Sequence, residues 1–320
     1  GGVIRITTKK QKDGGYSGSL GLKAGAMAAY GYNSSSPTFV FDASIGKWTF
    51  NYYAVNQHQK LIEDAKYNYL YDSGLQTNSI SETRSWLNNF GNRLNISYEV
   101  NDKSTLAISE YVGNVTIKNK QNSVVETILG NDEEAKESNN KIHGPESQFV
   151  QQTVAKYILT TDDKGSKLEV TADYYHQNHH LKQFEDIDNI RTYENSTQEK
   201  TNMFQLYPKY TRKFNGGKEL KVGANYQFIR YNDETDGLSN DADAHIASAY
   251  ANFTGMTKSL MYSAGLTLQY NRMDVQTAQE TTFFDDVYLC PQANLMWMIN
   301  PQKGRMLGVM YQCSVSDMPY

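Results

Sequence analysis

The chain has 320 residues and a formal net charge of −4, so no basic footprint marks it for nucleic acid. No stretch approaches the roughly 18 apolar residues of a membrane helix, which excludes helical membrane proteins but not β-barrels, whose lipid face occupies only every second residue. The two cysteines, Cys290 and Cys313, leave the redox compartment open.

The opening run, GGVIRITTKK (residues 1–10), is short, β-like and closed by paired lysines. Beyond it, helical periodicity is hard to find and two-residue alternation recurs. The first long strand is expected near residues 16–28. In WTFNYYAV, Trp48, Phe50, Tyr52 and Ala54 share one face, against Thr49, Asn51 and Tyr53. In the next strands Leu106 and Ile108 share a face with Glu110; either a bulge re-aims this carboxylate or the strand has left the hydrocarbon by that point. Residues 167–180 alternate cleanly, with Leu168, Val170, Ala172 and Tyr174 opposed to Lys167, Glu169, Thr171 and Asp173. The same division separates Leu220, Val222, Ala224, Tyr226 and Phe228 from Glu219, Lys221, Gly223 and Asn225, and it returns in Leu260, Tyr262, Ala264, Leu266, Leu268 and Tyr270.

Tight-turn chemistry punctuates these runs at Gly46-Lys47, Asn101-Asp102-Lys103, Asp162-Asp163-Lys164-Gly165, Asn215-Gly216-Gly217-Lys218, Thr257-Lys258 and Pro301-Gln302-Lys303-Gly304. Between them lie longer polar segments, about residues 61–81, 122–147, 187–200, 233–243 and 273–282, which are expected to be loops. Alternating short and long connections put all tight turns at one rim of an up-and-down antiparallel sheet, the pattern of outer-membrane barrels. Trp48, Tyr98, Phe214 and Trp297 fall where one aromatic girdle belongs, and Tyr174, Tyr226 and Phe228 where the other does. Pro208 and Pro291, inside expected strands, predict bulges. The pattern yields an all-β, up-and-down antiparallel transmembrane β-barrel wall of about thirteen strands, ending near residues 305–316. Single-chain bacterial barrels normally have an even count, so an incomplete wall is expected. A soluble β-sandwich gives similar alternation, but its apolar rows pack against a second sheet.

The opening GGVIRITTKK resembles the last plug strand of TonB-dependent outer-membrane receptors, often Gly-Gly-Val-Ile-Asn-Ile-x-Thr-Lys-Lys, with Arg5 where Asn is frequent. GGYSGSLGLKAGA is similar to that family's first barrel strand. NNFGNRLNISYEVNDKSTLAIS (residues 88–109) and AYANFTGMTKSLMYSAGLTLQY (residues 249–270) resemble hairpins of the Bacteroidetes-type outer-membrane β-barrel branch, and CPQANLMWMINPQKG (residues 290–304) resembles the Pro-x-Leu-x-Leu-x-Tyr strand that follows. Thr267, Gln269, Ala293 and Trp297 depart from its usual pattern. The resemblance implies a 22-stranded barrel with an N-terminal plug. Residues 1–12 would then be the last plug strand and residues 13–320 the N-terminal part of the barrel. It implies a bacterial outer-membrane receptor taking up a scarce solute such as a siderophore, haem, cobalamin, glycan or peptide. Its implied partners are outer-membrane lipid, a TonB-type energy-transducing protein reached through the missing plug region, the small solute ligand and a surface lipoprotein.

Candidate chemistry is sparse. YYHQNHHLK holds His176, His179 and His180, and alternation sends His176 and His180 to one face and His179 to the other. Exposed loop-base histidines compete there with solute contact; in the second case His179, His176, His180 and Tyr175 are the ligand-binding candidates at the extracellular rim. Arg5, Arg93, Glu99, Asp173 and Lys156 are candidates for lining the lumen and holding a plug, in company with Asp42, Lys209 and Lys221. Simple register pairs Gln292 with Cys313, which leaves Cys290 and Cys313 diagonal and too distant for easy bridging. No cofactor, metal site or enzyme motif is expected: Gly-x-Ser-x-Gly, His-Glu-x-x-His, Cys-x-x-Cys and phosphate-cradling loops are all absent. The competing functions are a barrel hydrolase and a structural or adhesion barrel.

Overall fold

The computed structural model describes residues 14–27, 32–71, 75–129, 136–277, 280–300 and 305–313. Arg5 and the rest of residues 1–12 lie outside them. Thirteen strands follow one another: β1 (Gly15–Met27), β2 (Tyr32–Ile45), β3 (Trp48–Leu70), β4 (Leu75–Asn101), β5 (Ser104–Leu129), β6 (Lys136–Thr160), β7 (Lys167–Ile187), β8 (Ile190–Lys213), β9 (Glu219–Thr235), β10 (Leu238–Met256), β11 (Leu260–Gln276), β12 (Thr281–Asn300) and β13 (Arg305–Gln312). Each pairs antiparallel with the next in a single sheet, from β1 to β13 in unbroken order. Among the described residues β1 and β13 have no further partner, so the sheet is open.

Which face meets hydrocarbon follows from burial. Ala43, Ile229, Ala244 and Cys290 are the only buried apolar side chains among the described residues. A soluble sandwich of this size would hide a large apolar core; instead Leu266, Leu268, Leu289 and Val287 are 46%, 50%, 60% and 67% exposed. Cross-strand pairs keep these residues on one side: Leu266 sits opposite Ala251 and Pro291, and Leu268 opposite Ala249 and Leu289. The sandwich alternative is thereby excluded, and the expected barrel wall is observed. Ile229, Ala244, Cys290 and the buried Asn271 lie on the opposite, polar-row face, where side chains converge, and that face is the concave lumen side.

The apolar belt spans residues 260–270 on β11 and 220–228 on β9, close to the roughly 9–11 tilted residues that cross a bilayer. Aromatics border it as expected. Trp48 packs on Tyr98 at 4.5 Å and Phe214 meets Phe253 edge-on at 6.4 Å near the tight turns. Just past Phe228 and Tyr270 the outward row turns charged: Arg230 donates to Asp243 twice at 2.8 Å, and Arg272 to Asp274 twice at 3.1 Å.

Among the described residues, most of each expected long loop is strand, with pairs reaching Leu70 and Gln76, Thr127 and Lys136, Ile187 and Ile190, Thr235 and Leu238, and Gln276 and Thr281. A hairpin standing in water can be polar on both faces, which erases the periodicity that marks a strand. Two of the tips are type I′ turns, with positive φ at both Asp188 and Asn189 (51° and 67°) and at both Asp236 and Gly237 (51° and 80°). Asymmetry between the rims survives as strand overhang. On β5 the turn at residues 102–103 lies directly below Leu106, whereas about 17 residues beyond Val112 project past the belt, roughly 50 Å of extended chain.

Glu110 is not re-aimed by a bulge, since Leu94, Glu110 and Thr153 pair in regular register. It faces outward at the top of the belt and accepts hydrogen bonds from Gln151 and Thr153. Neither proline produces a bulge. Pro208 pairs with Val170 and Pro291 with Leu266 without a register shift, although the β8–β9 ladder skips Tyr207 and Pro208; the register shifts fall at Glu99/Asn101, Glu185/Asp186 and Met298/Asn300.

The β6–β7 turn is latched by Ser166, whose side chain is fully buried. Its hydroxyl donates to Asp162 (2.6 Å) and accepts the Lys213 amide (3.0 Å), while its own amide donates to Asp162 (2.9 Å). The Ser166 hydroxyl and amide hold the Asp162 carboxyl below its usual range. Ser166→Ala is expected to destabilise the folded protein by about 1–3 kcal/mol, because the Lys213 amide loses its acceptor. Denaturant unfolding in vesicles measures this. The depressed Asp162 pKa also makes the latch present above the unfolded value of 3.8 and lost as pH falls through the folded one.

Candidate functional site

The lumen face above the belt gathers the most distinctive side chains. Register places His179 opposite Gln148 on β6 and Glu199 on β8. His176 and His180 take the outward face, as alternation predicted. His176 Nδ1 meets Asn202 Oδ1 at 2.8 Å and its ring lies against Phe149. His179 instead bridges three strands, with Nε2 3.1 Å from Glu146 Oε1 and Nδ1 3.1 Å from Glu199 Oε2. Carboxylates only accept, so the two contacts are made together by the protonated, imidazolium form of the ring. Glu146 and Glu199 sit on opposite edges of the ring, so the three groups do not converge on one point as metal ligands must.

Beside this bridge lies a hollow of about 620 Å³, lined by Tyr175, Met203, Ile229, Tyr231, Ala242, Ala244, Met273 and Val275, with Thr201, Gln227, Asn240 and Asp241 as polar members. Tyr231 joins the two features: burial and the neighbouring Glu199 carboxylate push its hydroxyl above the usual tyrosine range. Tyr175 is thus the sequence candidate that enters the hollow, and its hydroxyl donates to Gln177. Chemically, the hollow has room for an apolar body, and the nearby carboxylates and imidazolium have the charge and hydrogen-bonding capacity to suit polar substituents. Sequence reasoning missed Glu146, Glu199, Tyr231 and the two methionines. Glu199 was detectable only by recognising Asp188-Asn189 as a hairpin tip, which folds β8 back beside β7.

The lower lumen candidates are ion-paired, hydrogen-bonded or, for Arg93, set against an aromatic ring. Lys156 and Lys209 clasp Glu169 from both sides at 3.1 and 2.7 Å. Asp173 accepts both bonds from the Gln152 amide at 2.9 and 3.2 Å, Arg93 lies 5.4 Å from the Tyr111 ring centre, and the Glu99 amide donates to Lys47. Lys221 pairs with Glu219 at 2.8 Å, and Asp42 accepts from Asn51.

His179 stands above the belt and titrates. Burial lowers its pKa, but hydrogen bonds to Glu199 and Glu146 outweigh that and leave it above the usual 6.5. A raised folded value means the bridge contributes fully below pH 6.5 and is lost as pH rises through the folded pKa. Hydrogen exchange in the β6–β8 overhang is therefore expected to accelerate as pH rises above 6.5 and through the folded pKa, beyond the chemical dependence of exchange itself, and His179→Gln is expected to abolish the excess.

Residues 159–319 match the model of the outer membrane protein beta-barrel family. No curated protein matches the chain. Among solved structures, the ferric citrate transporter FecA in its unliganded form is 9% identical with a TM-score of 0.37, covering 94% of this chain and 60% of its own. BauA, the ferric preacinetobactin receptor of Acinetobacter baumannii, is 8% identical with a TM-score of 0.34, covering 90% and 58%. The outer-membrane protease OmpT of Escherichia coli is 10% identical with a TM-score of 0.24, covering 92% and 98%. The chain thus spans about three-fifths of the length of the first two. With its lipid-facing rows, antiparallel order and family match, the chain belongs to the outer membrane protein beta-barrel family and resides in the bacterial outer membrane.

Proposed function

We propose that the chain is part of a TonB-dependent receptor that captures a scarce solute outside the cell and admits it through the barrel. The observation carrying this reading is the succession of GGVIRITTKK by a barrel strand, the order of plug end and first wall strand in that family. On this reading residues 1–12 close the plug, with Arg5 against the lumen, and residues 13–320 begin a 22-stranded barrel. Further strands would satisfy the open edges, where unpaired backbone groups in lipid cost several kcal/mol each. Solute binds in the upper lumen around the hollow and His179, and a TonB-type protein supplies energy through the plug. Both His179 ring nitrogens are engaged by carboxylates, leaving none to activate a serine, which favours transport over hydrolysis.

Energy dependence tests the proposal. Spent medium from cells with and without the intact gene is compared by mass spectrometry, with and without the TonB-type transducer. Depletion of a solute that requires both genes is expected. Depletion that persists without the transducer would overturn the TonB assignment while leaving a passive channel.

A further inference from the structure

We infer that Cys290 and Cys313 are joined as a disulfide in the mature protein. They are the chain's only cysteines, and the structure corrects the expectation that they lie too far apart: the Cys313 thiol points at the Cys290 sulfur from 3.3 Å. Two features of β12 produce this approach. At the turn Asn300 pairs with Arg305, yet from Met298 onward Met298 pairs with Met306 and Gln292 with Gln312, because β12 carries one extra residue, Ile299. That bulge moves Cys313 one residue nearer Cys290. It also sets Leu307 and Val309 opposite Trp297 and Leu295 on the lipid face, so the hydrophobic pattern selects the bulged register. Next, the Cys313 amide donates to the Pro291 carbonyl (3.2 Å), but Pro291 has no amide hydrogen to return the bond. The ladder ends at Gln312 and Cys313 is released to turn toward Cys290.

Both thiols are free in the structure, Cys290 buried and Cys313 half-buried. A protein bound for the outer membrane crosses an oxidising compartment, and the oxidant is a disulfide-bearing thiol oxidoreductase. The more accessible Cys313 thiolate attacks one oxidant sulfur, breaking the oxidant's disulfide and forming a mixed disulfide. Cys290 thiolate then displaces the oxidant's sulfur from Cys313. One protein disulfide forms, the oxidant's disulfide becomes two thiols carrying the two protons the cysteines lost, and two electrons pass to it. The bond would lock the bulged register, since sliding to the unbulged one moves Cys313 away.

The test uses the full-length protein in outer membranes isolated from cells quenched in acid. It is unfolded in denaturant and treated with a mass-tagging maleimide before and after reduction. After digestion, wild type is expected to carry no tag on Cys290 or Cys313 before reduction and one on each after, with the linked peptide pair lighter by two hydrogens than the two free peptides. Cys290→Ser and Cys313→Ser are each expected to carry a tag on the remaining one of these two cysteines without reduction. A wild type tagged at either position before reduction would overturn the bond. So would single variants that stay untagged there, or an unreduced peptide mass raised by a small thiol, because either indicates capping instead of pairing.

Discussion

Leu266→Arg is expected to destabilise the membrane-inserted protein by about 2–4 kcal/mol, whereas Thr267→Arg, one residue along, is expected to cost about 1 kcal/mol or less. Leu266 lies near the middle of the β11 belt, 46% exposed on the outward row, and at that depth a guanidinium meets hydrocarbon. Thr267 faces the lumen with Gln269 and Asn271, and water or neighbouring polar groups can solvate an arginine there. Helix or strand propensity does not separate the two substitutions, because both residues sit in one strand with the same partners, β10 and β12. Equilibrium urea titration of the full-length protein in lipid vesicles measures the difference. Equal losses at both positions would mean that the apolar rows do not face lipid.

The belt was legible in the sequence because lipid imposes its demand on every second residue. Leu168 to Tyr174, Leu220 to Phe228 and Leu260 to Tyr270 keep their predicted faces for that reason. Parity alone also separated His179 from His176 and His180. What His179 touches was not legible. Asp188-Asn189 was read as part of a long polar loop, and losing that tip meant losing the pairing that brings Glu199 to the ring. Bulges are invisible for a related reason: one added residue leaves the local composition unchanged but shifts every partner beyond it. Ile299 did this to the cysteines. The hollow was hidden because Met203, Ile229 and Met273 are far apart in the chain and line one space only once β8, β9 and β11 are folded together.

Gly144→Ala is expected to have its effect on the overhang, not on the belt. A Cβ at Gly144 would stand 1.8 Å from the Lys182 carbonyl oxygen and 2.8 Å from its carbon. These are backbone atoms that cannot rotate aside, so β6 and β7 must separate, at about 3 kcal/mol or more of local stability. The ladder is already interrupted there: pairing jumps from His143–Phe184 to Glu146–Leu181, and Pro145 offers no amide hydrogen. Little remains to absorb the strain. On either side of the gap lie the His143–Asp186 contact (3.2 Å) and the Glu146–His179 contact (3.1 Å), so separation pulls Glu146 from the imidazolium. His179 would then keep only Glu199, and its pKa would fall relative to the parent protein. Hydrogen exchange is expected to show protection lost around residues 141–147 and 181–186 and retained in residues 154–160. A histidine titration by NMR is expected to report the lower His179 pKa. Unchanged protection in the overhang would show that the strands do not approach as closely as the Gly144–Lys182 distance requires.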